Sequence, residues 1–177
     1  MEIYEYLDQI QTELLDHSWE EIEAKYYDLC SKLAGEEQAK RIRNIDLDSF
    51  QNKLNDALQV SLHTADKHSA AAIYFEYDMD NDWQSVFFIC DDYTMLSEED
   101  DDWASDWISE VEGPDLKEFA RIYAENGFDG TEKAIGTTLY LVVKTVTVFG
   151  SVVESRKNNM PICIGFHDQD PIMRIQE

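Results

Sequence analysis

TEKAIGTTLYLVVKTVTVFGSVVES, residues Thr131 to Ser155, is the stretch on which the fold turns. Its centre, TTLYLVVKTVTVF, is β-branched enough to make a long strand. Yet Lys133, Thr137, Tyr140, Lys144, Thr147, Ser151 and Ser155 recur at steps of three and four, which draws a narrow polar stripe along an otherwise apolar helix. The stripe favours a buried helix late in the chain.

Working outward, PDLKEFARIYAEN (Pro114 to Asn126) predicts a short helix that buries Leu116, Phe119, Ile122 and Tyr123 and stops at Gly127. Upstream, AAAIYFEYD alternates Ile73, Phe75 and Tyr77 against Tyr74 and Glu76 at period two, so it reads as a strand. MDND is turn chemistry, and WQSVFFIC returns as a second strand. Val86, Phe87, Phe88 and Ile89 are apolar on both faces, which places that strand inside a sheet covered by helices. Before the hairpin, Ile3, Leu7, Ile10 and Leu14 form a helical stripe, and Ser18 with Glu21 forms a capping box for a second helix ending near Gly35. A basic patch, Lys40, Arg41 and Arg43, then precedes a third helix from Asp48 with Phe50, Leu54, Leu58 and Leu62 inward. Downstream of the quoted stretch, ICIGFH is a closing strand, and IMRIQ is one more after the HDQDP turn. The expected fold is α+β, a mixed α/β domain over residues 1–177, with N-terminal helices on a small, largely antiparallel sheet and a buried late helix.

At 177 residues, with 44% hydrophobic and 12% aromatic residues, the chain can bury roughly 70% of its unfolded surface, which an acidic disordered tail cannot. Lys and Arg number 14 against 38 Asp and Glu, a net charge of −24. That sign repels nucleic acid phosphates and anionic membranes and favours a basic protein partner. Cys30, Cys90 and Cys163 sit among apolar neighbours as small hydrophobes, and the acidic start MEIYEYLDQI has no secretory pattern. No uninterrupted run of about 18 apolar residues is present. A cytoplasmic setting is expected.

Charge is polarised along the chain. Glu76 to Glu118 carries sixteen acids against Lys117 alone, a local balance of −15, whereas the residues from Gly130 onward are neutral overall. Trp83, Trp103 and Trp107 lie in the same acidic stretch. In a helical turn Trp103 and Trp107 would share a face, beside Asp102, Asp106 and Glu110. They either pin the segment to the sheet or stand exposed as anchors ringed by carboxylates, a composition suited to Arg and Lys of a partner, or both hold, with one ring in and one out. The candidate contact surface is Asp91, Asp92, Glu98, Glu99, Asp100, Asp101, Asp102, Trp103, Asp106, Trp107 and Glu110.

Catalytic signatures are scarce. Asp78, Asp80 and Asp82 imitate the start of an EF-hand loop, but its sixth and twelfth positions hold Trp83 and Ile89. Gly130 and Gly136 have the wrong spacing for a phosphate loop, and no G-x-G, G-x-S-x-G or C-x-x-C occurs. His167 with Asp168 and Asp170, just past a strand, is the one cluster with metal or acid–base potential. The expectation is a non-enzymatic protein with no cofactor and no metal.

The order of helices, an aromatic hairpin ending in Asp91-Asp92-Tyr93, the W-x-x-x-W pair Trp103 and Trp107 in an acidic run, a helix and a closing apolar strand resembles a set of bacterial families. These are domains of unknown function found among immunity proteins of polymorphic toxin systems, and the resemblance spans roughly residues 50–170. It implies a cytoplasmic protein that neutralises one cognate toxin by stoichiometric binding, and it assigns no catalytic residues. A nuclease toxin would suit the charge, since carboxylates can occupy the places where Arg and Lys hold substrate phosphates. Two alternatives stand beside this reading: a metal-assisted enzyme using His167, Asp168 and Asp170, and a DNA mimic that blocks several nucleic-acid-binding proteins.

Overall fold

The computed structural model describes residues 1–177. Four helices come first: α1 (Ile3–Asp16), α2 (Trp19–Ala34), α3 (Glu36–Arg43) and α4 (Asp48–Lys67). The hairpin β1 (Ala72–Asp78) and β2 (Gln84–Cys90) follows, then β3 (Trp107–Glu112), α5 (Lys117–Asn126), α6 (Glu132–Glu154), β4 (Ile162–Phe166) and β5 (Met173–Gln176). The sheet order is β3-β2-β1-β4-β5, with β1 and β4 parallel and the other neighbours antiparallel. The α+β class and the largely antiparallel sheet agree with the sequence reading.

The stretch from Thr131 is the helix α6, capped where Thr131 Oγ1 accepts the Ala134 N–H at 3.0 Å. Every residue from Leu139 to Thr147 is buried, which explains how a β-branched run stays helical. The propensity loss is only a few tenths of a kcal/mol per residue, far less than the roughly 1.5–3 kcal/mol gained by burying each large apolar side chain. One side of α6 packs on the sheet, where Phe149 stacks on Phe75 with ring centroids 4.6 Å apart.

The polar stripe lies under α2. Lys144 Nζ reaches Glu23 Oε1 at 2.9 Å, the Tyr140 hydroxyl donates to the same oxygen at 3.3 Å, and Gln38 donates to Thr137. Gly136 and Gly150 permit this close approach. A Cβ on Gly136 would stand 2.8 Å from Leu33 Cβ, and one on Gly150 would stand 2.5 Å from the Trp19 ring. By length and composition α6 could cross a membrane, but 83% of its most apolar window is buried inside the fold.

Several sequence expectations need correction. The basic patch forms the last turn of α3, so the helix beginning at Asp48 is the fourth. Its cations are committed locally: Lys40 pairs with Glu36, Arg41 with Glu125, and Arg43 lies 4.2 Å from the Tyr27 ring centre. The helix expected from Pro114 starts at Lys117. Residues 107–112, read as part of an acidic run, form the edge strand β3. Trp83 leaves the acidic surface altogether. It is fully buried, stacks on Tyr77 and donates Nε1–H to Thr145 Oγ1 at 3.2 Å.

Candidate functional site

Period-two alternation gives the sheet two different faces. Ile73, Phe75, Tyr77, Phe87, Ile89, Ile162 and Ile164 join the helices in the main core. Tyr74, Glu76, Val86 and Phe88 point to the outer face, with Cys163 and the flanking Ala72 and Cys90. The chain from Asp91 to Asp106 crosses that outer face and covers only part of it. Ala72, Tyr74, Cys90, Trp103, Ala104, Cys163 and Ile172 make a second, small core beneath the crossing.

The two tryptophans therefore part company. Residues 102–105 make one 3₁₀ turn and β3 begins at Trp107, so the pair never shares a helical face. Trp103 is 3% exposed and packs edge-on against Tyr74 and Tyr93. Trp107 is 47% exposed, its ring 4.6 Å from that of Phe88. Both readings open in the sequence hold, one ring in and one out: Trp103 pins and Trp107 is displayed.

Asp101 also has an internal role, unlike its neighbours. Its Oδ1 accepts from Arg174 Nη1 at 2.6 Å and its Oδ2 from the Ile172 N–H at 2.7 Å. Arg174 is 2% exposed and further donates to the carbonyls of Ile172 and Thr94 at 2.8 and 2.9 Å. Burial works against its charge, and the hydrogen bond and charge of Asp101 more than offset that, so its pKa lies above the ordinary arginine value. The carboxylate of Glu177 accepts from the Tyr93 hydroxyl and from the Leu96 N–H. Strand β5 and the C-terminal Glu177 thus hold the acidic crossing in place.

What remains open on the outer face is a cleft of about 670 Å³. Tyr74, Phe88 and Trp107 line it together with Glu76, Glu99, Asp100, Asp101, Asp102, Asp168 and Asp170. Seven carboxylates line the cleft with His167 as its one basic lining residue, and Asp101 among them is already held by Arg174. The turn after β4 brings His167 here: its N–H donates to the Tyr77 carbonyl at 2.8 Å, and its Nδ1 lies 3.1 Å from Glu76 Oε1. The hydrogen bond that the ring donates to the Glu76 carboxylate raises the imidazole pKa above its ordinary value, and the charges of Glu76, Asp168 and Asp78 add to the effect. The Tyr74 hydroxyl donates to the other oxygen of Glu76 at 3.1 Å.

The acidic segment and the His167 cluster, two separate features in the sequence, thus share one cleft. Asp91, Asp92, Glu98 and Asp106 are exposed but do not line it. Glu110 stands on the outer face of β3 in a neighbouring hollow of about 830 Å³, with Val86, Glu112 and Lys53. Tyr74, Glu76 and Phe88 were missed as site residues, although their shared parity in the hairpin was a usable signal. No group of three or more His, Cys, Asp or Glu side chains is arranged to hold a metal ion. Cys90 and Cys163 lie beneath the crossing, their thiols pushed up by burial, Cys90 to about 12.

An aromatic floor ringed by carboxylates suits a cation. The faces of Trp107 and Phe88 offer cation–π attraction of about 0.5–2 kcal/mol, and the rim offers charge-assisted acceptors for a guanidinium or ammonium group. Family models, curated proteins and solved structures give no match to this chain.

Proposed function

We propose that the protein is an immunity-type inhibitor that neutralises one basic bacterial toxin in the cytoplasm by stoichiometric binding through the open half of the outer sheet face. The observation that carries this reading is the exposed Trp107 on Phe88, framed by carboxylates that have almost no cation of their own. An exposed aromatic anchor amid charge of one sign is the composition of an interface hot spot with an electrostatic rim. Steering by the −24 net charge would speed capture of a toxin before it acts.

The test is capture from the native lysate by the wild-type protein and by Trp107→Ala, followed by titration of the captured protein's activity. The reading expects one basic partner, inhibited at a one-to-one ratio, and lost on Trp107→Ala. It also expects Asp100→Asn with Asp102→Asn to slow association and flatten its salt dependence. A partner held equally by all variants, or one whose activity is untouched at saturation, would sink it. Trp103 is excluded from this test because its removal would damage the small core.

A further inference from the structure

β3 is the last strand on its side of the sheet, and nothing pairs with its far edge. The phase of its ladder is set by Gly113, whose N–H donates to the Ser85 carbonyl at 3.0 Å. Bonded pairs recur every second residue in an antiparallel ladder, so Phe87 with Val111 and Ile89 with Ser109 are bonded pairs as well. Glu110 and Glu112 fall between them. Their backbone N–H and C=O groups therefore point away from β2, toward the free edge, while their side chains stand exposed on the outer face.

Two further features mark this edge. A register shift opposite Ile89 and Cys90 leaves Ile108 unopposed and 44% exposed beside Trp107. The hollow that Glu110 and Glu112 line runs beside the same strand. Natural sheet edges are commonly protected by charge against pairing with another chain. The charge carried by the strand itself is of one sign, with Lys53 the one cation lining the hollow, so an antiparallel pairing of two β3 strands would bring the Glu110 and Glu112 carboxylates of the two copies together in a protein of net charge −24. The same carboxylates favour a strand with Lys or Arg at alternate positions.

Resting on the inhibitor reading, we infer that the free edge of β3 takes an extended basic segment of the partner as a sixth strand. Main-chain hydrogen bonds to Glu110 and Glu112 would supply the register. Alternate cationic side chains would lie over their carboxylates and Trp107.

The probe is a blocked octapeptide of alternating lysine and valine, compared at low salt with the same peptide N-methylated at its four central residues, which blocks both of its edges. Amide hydrogen exchange is followed residue by residue on the wild-type protein. The expected result is at least about tenfold slower exchange at Glu110 and Glu112 with the first peptide, and about tenfold weaker binding of the second, from the loss of two or more hydrogen bonds. Equal binding of the two peptides, or unchanged exchange at both residues, overturns the sixth strand and leaves the acidic face as an electrostatic dock. No binding of either peptide at millimolar concentration overturns it too. Failure of the inhibitor reading is seen separately, in the one-to-one titration of the captured partner.

Discussion

Arg174→Met tests how the acidic crossing is held to the sheet. The side chain is 2% exposed and gives hydrogen bonds to Asp101, Ile172 and Thr94, while its Nε has no partner and so nothing to lose. Methionine keeps much of the volume and none of the donors. Asp101 then retains only the Ile172 N–H, and its side chain, 21% exposed, can recover some hydration. Breaking a buried pair by removing one partner costs about 3–5 kcal/mol, and the access of water to Asp101 places this case near 3 kcal/mol. With a urea dependence of about 2 kcal/mol per molar, the unfolding midpoint should fall by about 1.5 M. The double variant Asp101→Asn with Arg174→Met should cost at least about 1 kcal/mol less than the two single losses together, because the pair acts as a unit. A single variant within about 0.5 kcal/mol of wild type, or a strictly additive double variant, would refute the latch.

Trp103→Ala should destabilise by about 3 kcal/mol through a cavity in the small core, whereas Trp107→Ala should cost less than about 1 kcal/mol; equal urea midpoints for the two would contradict their assigned places. The His167 pKa, followed by its ring proton shifts, should lie above 6.5 and fall toward that value in Glu76→Gln. Because the folded value is the raised one, the Glu76–His167 pair adds stability that is fully present below about pH 6.5 and lost as pH rises through the folded pKa. Thermal scans of wild type and His167→Gln should therefore diverge at pH 5.5 and converge once the pH has passed the folded pKa, and a gap that widens with pH would reverse the assignment. The thiols of Cys30 and Cys90 are pushed up to about 12 by burial, and that of Cys163 also lies well above its ordinary value. A disulfide reagent at pH 8 should find three reactive thiols in denaturant and none within minutes in the native protein, and rapid native labelling would place a thiol at the surface.

The local signals in the chain were strong where one element could satisfy itself. Ser18 and Glu21 form the capping box that their spacing implies, and Gly35 terminates α2 at a φ of 95°, a backbone region open to glycine. Leu116, Phe119, Ile122 and Tyr123 are all buried on or beside α5, as their periodicity required. The steps of three and four in Lys133 to Ser155 overruled the β-propensity of the same residues, because periodicity reports which side chains share a face. The hairpin and its parity were legible for the same reason.

Tertiary packing decided the rest. Three tryptophans in one acidic stretch look alike in sequence, but Trp83 lies in the main core, Trp103 in the small one and Trp107 at the surface, since exposure depends on what each ring packs against. Asp101 is indistinguishable from Asp100 and Asp102 until Arg174, 73 residues away, claims it. The strand β3 escaped notice because an edge strand needs only half of its backbone partners and little apolar content. The cleft itself is a product of the parallel pairing of β1 with β4, which sets His167 beside Glu76 across 91 residues of chain. From sequence alone came the net charge, the α+β class and the late buried helix, because composition and periodicity need no distant contact. Where the carboxylates gather, and which ring they surround, followed only from long-range packing that no local pattern encodes.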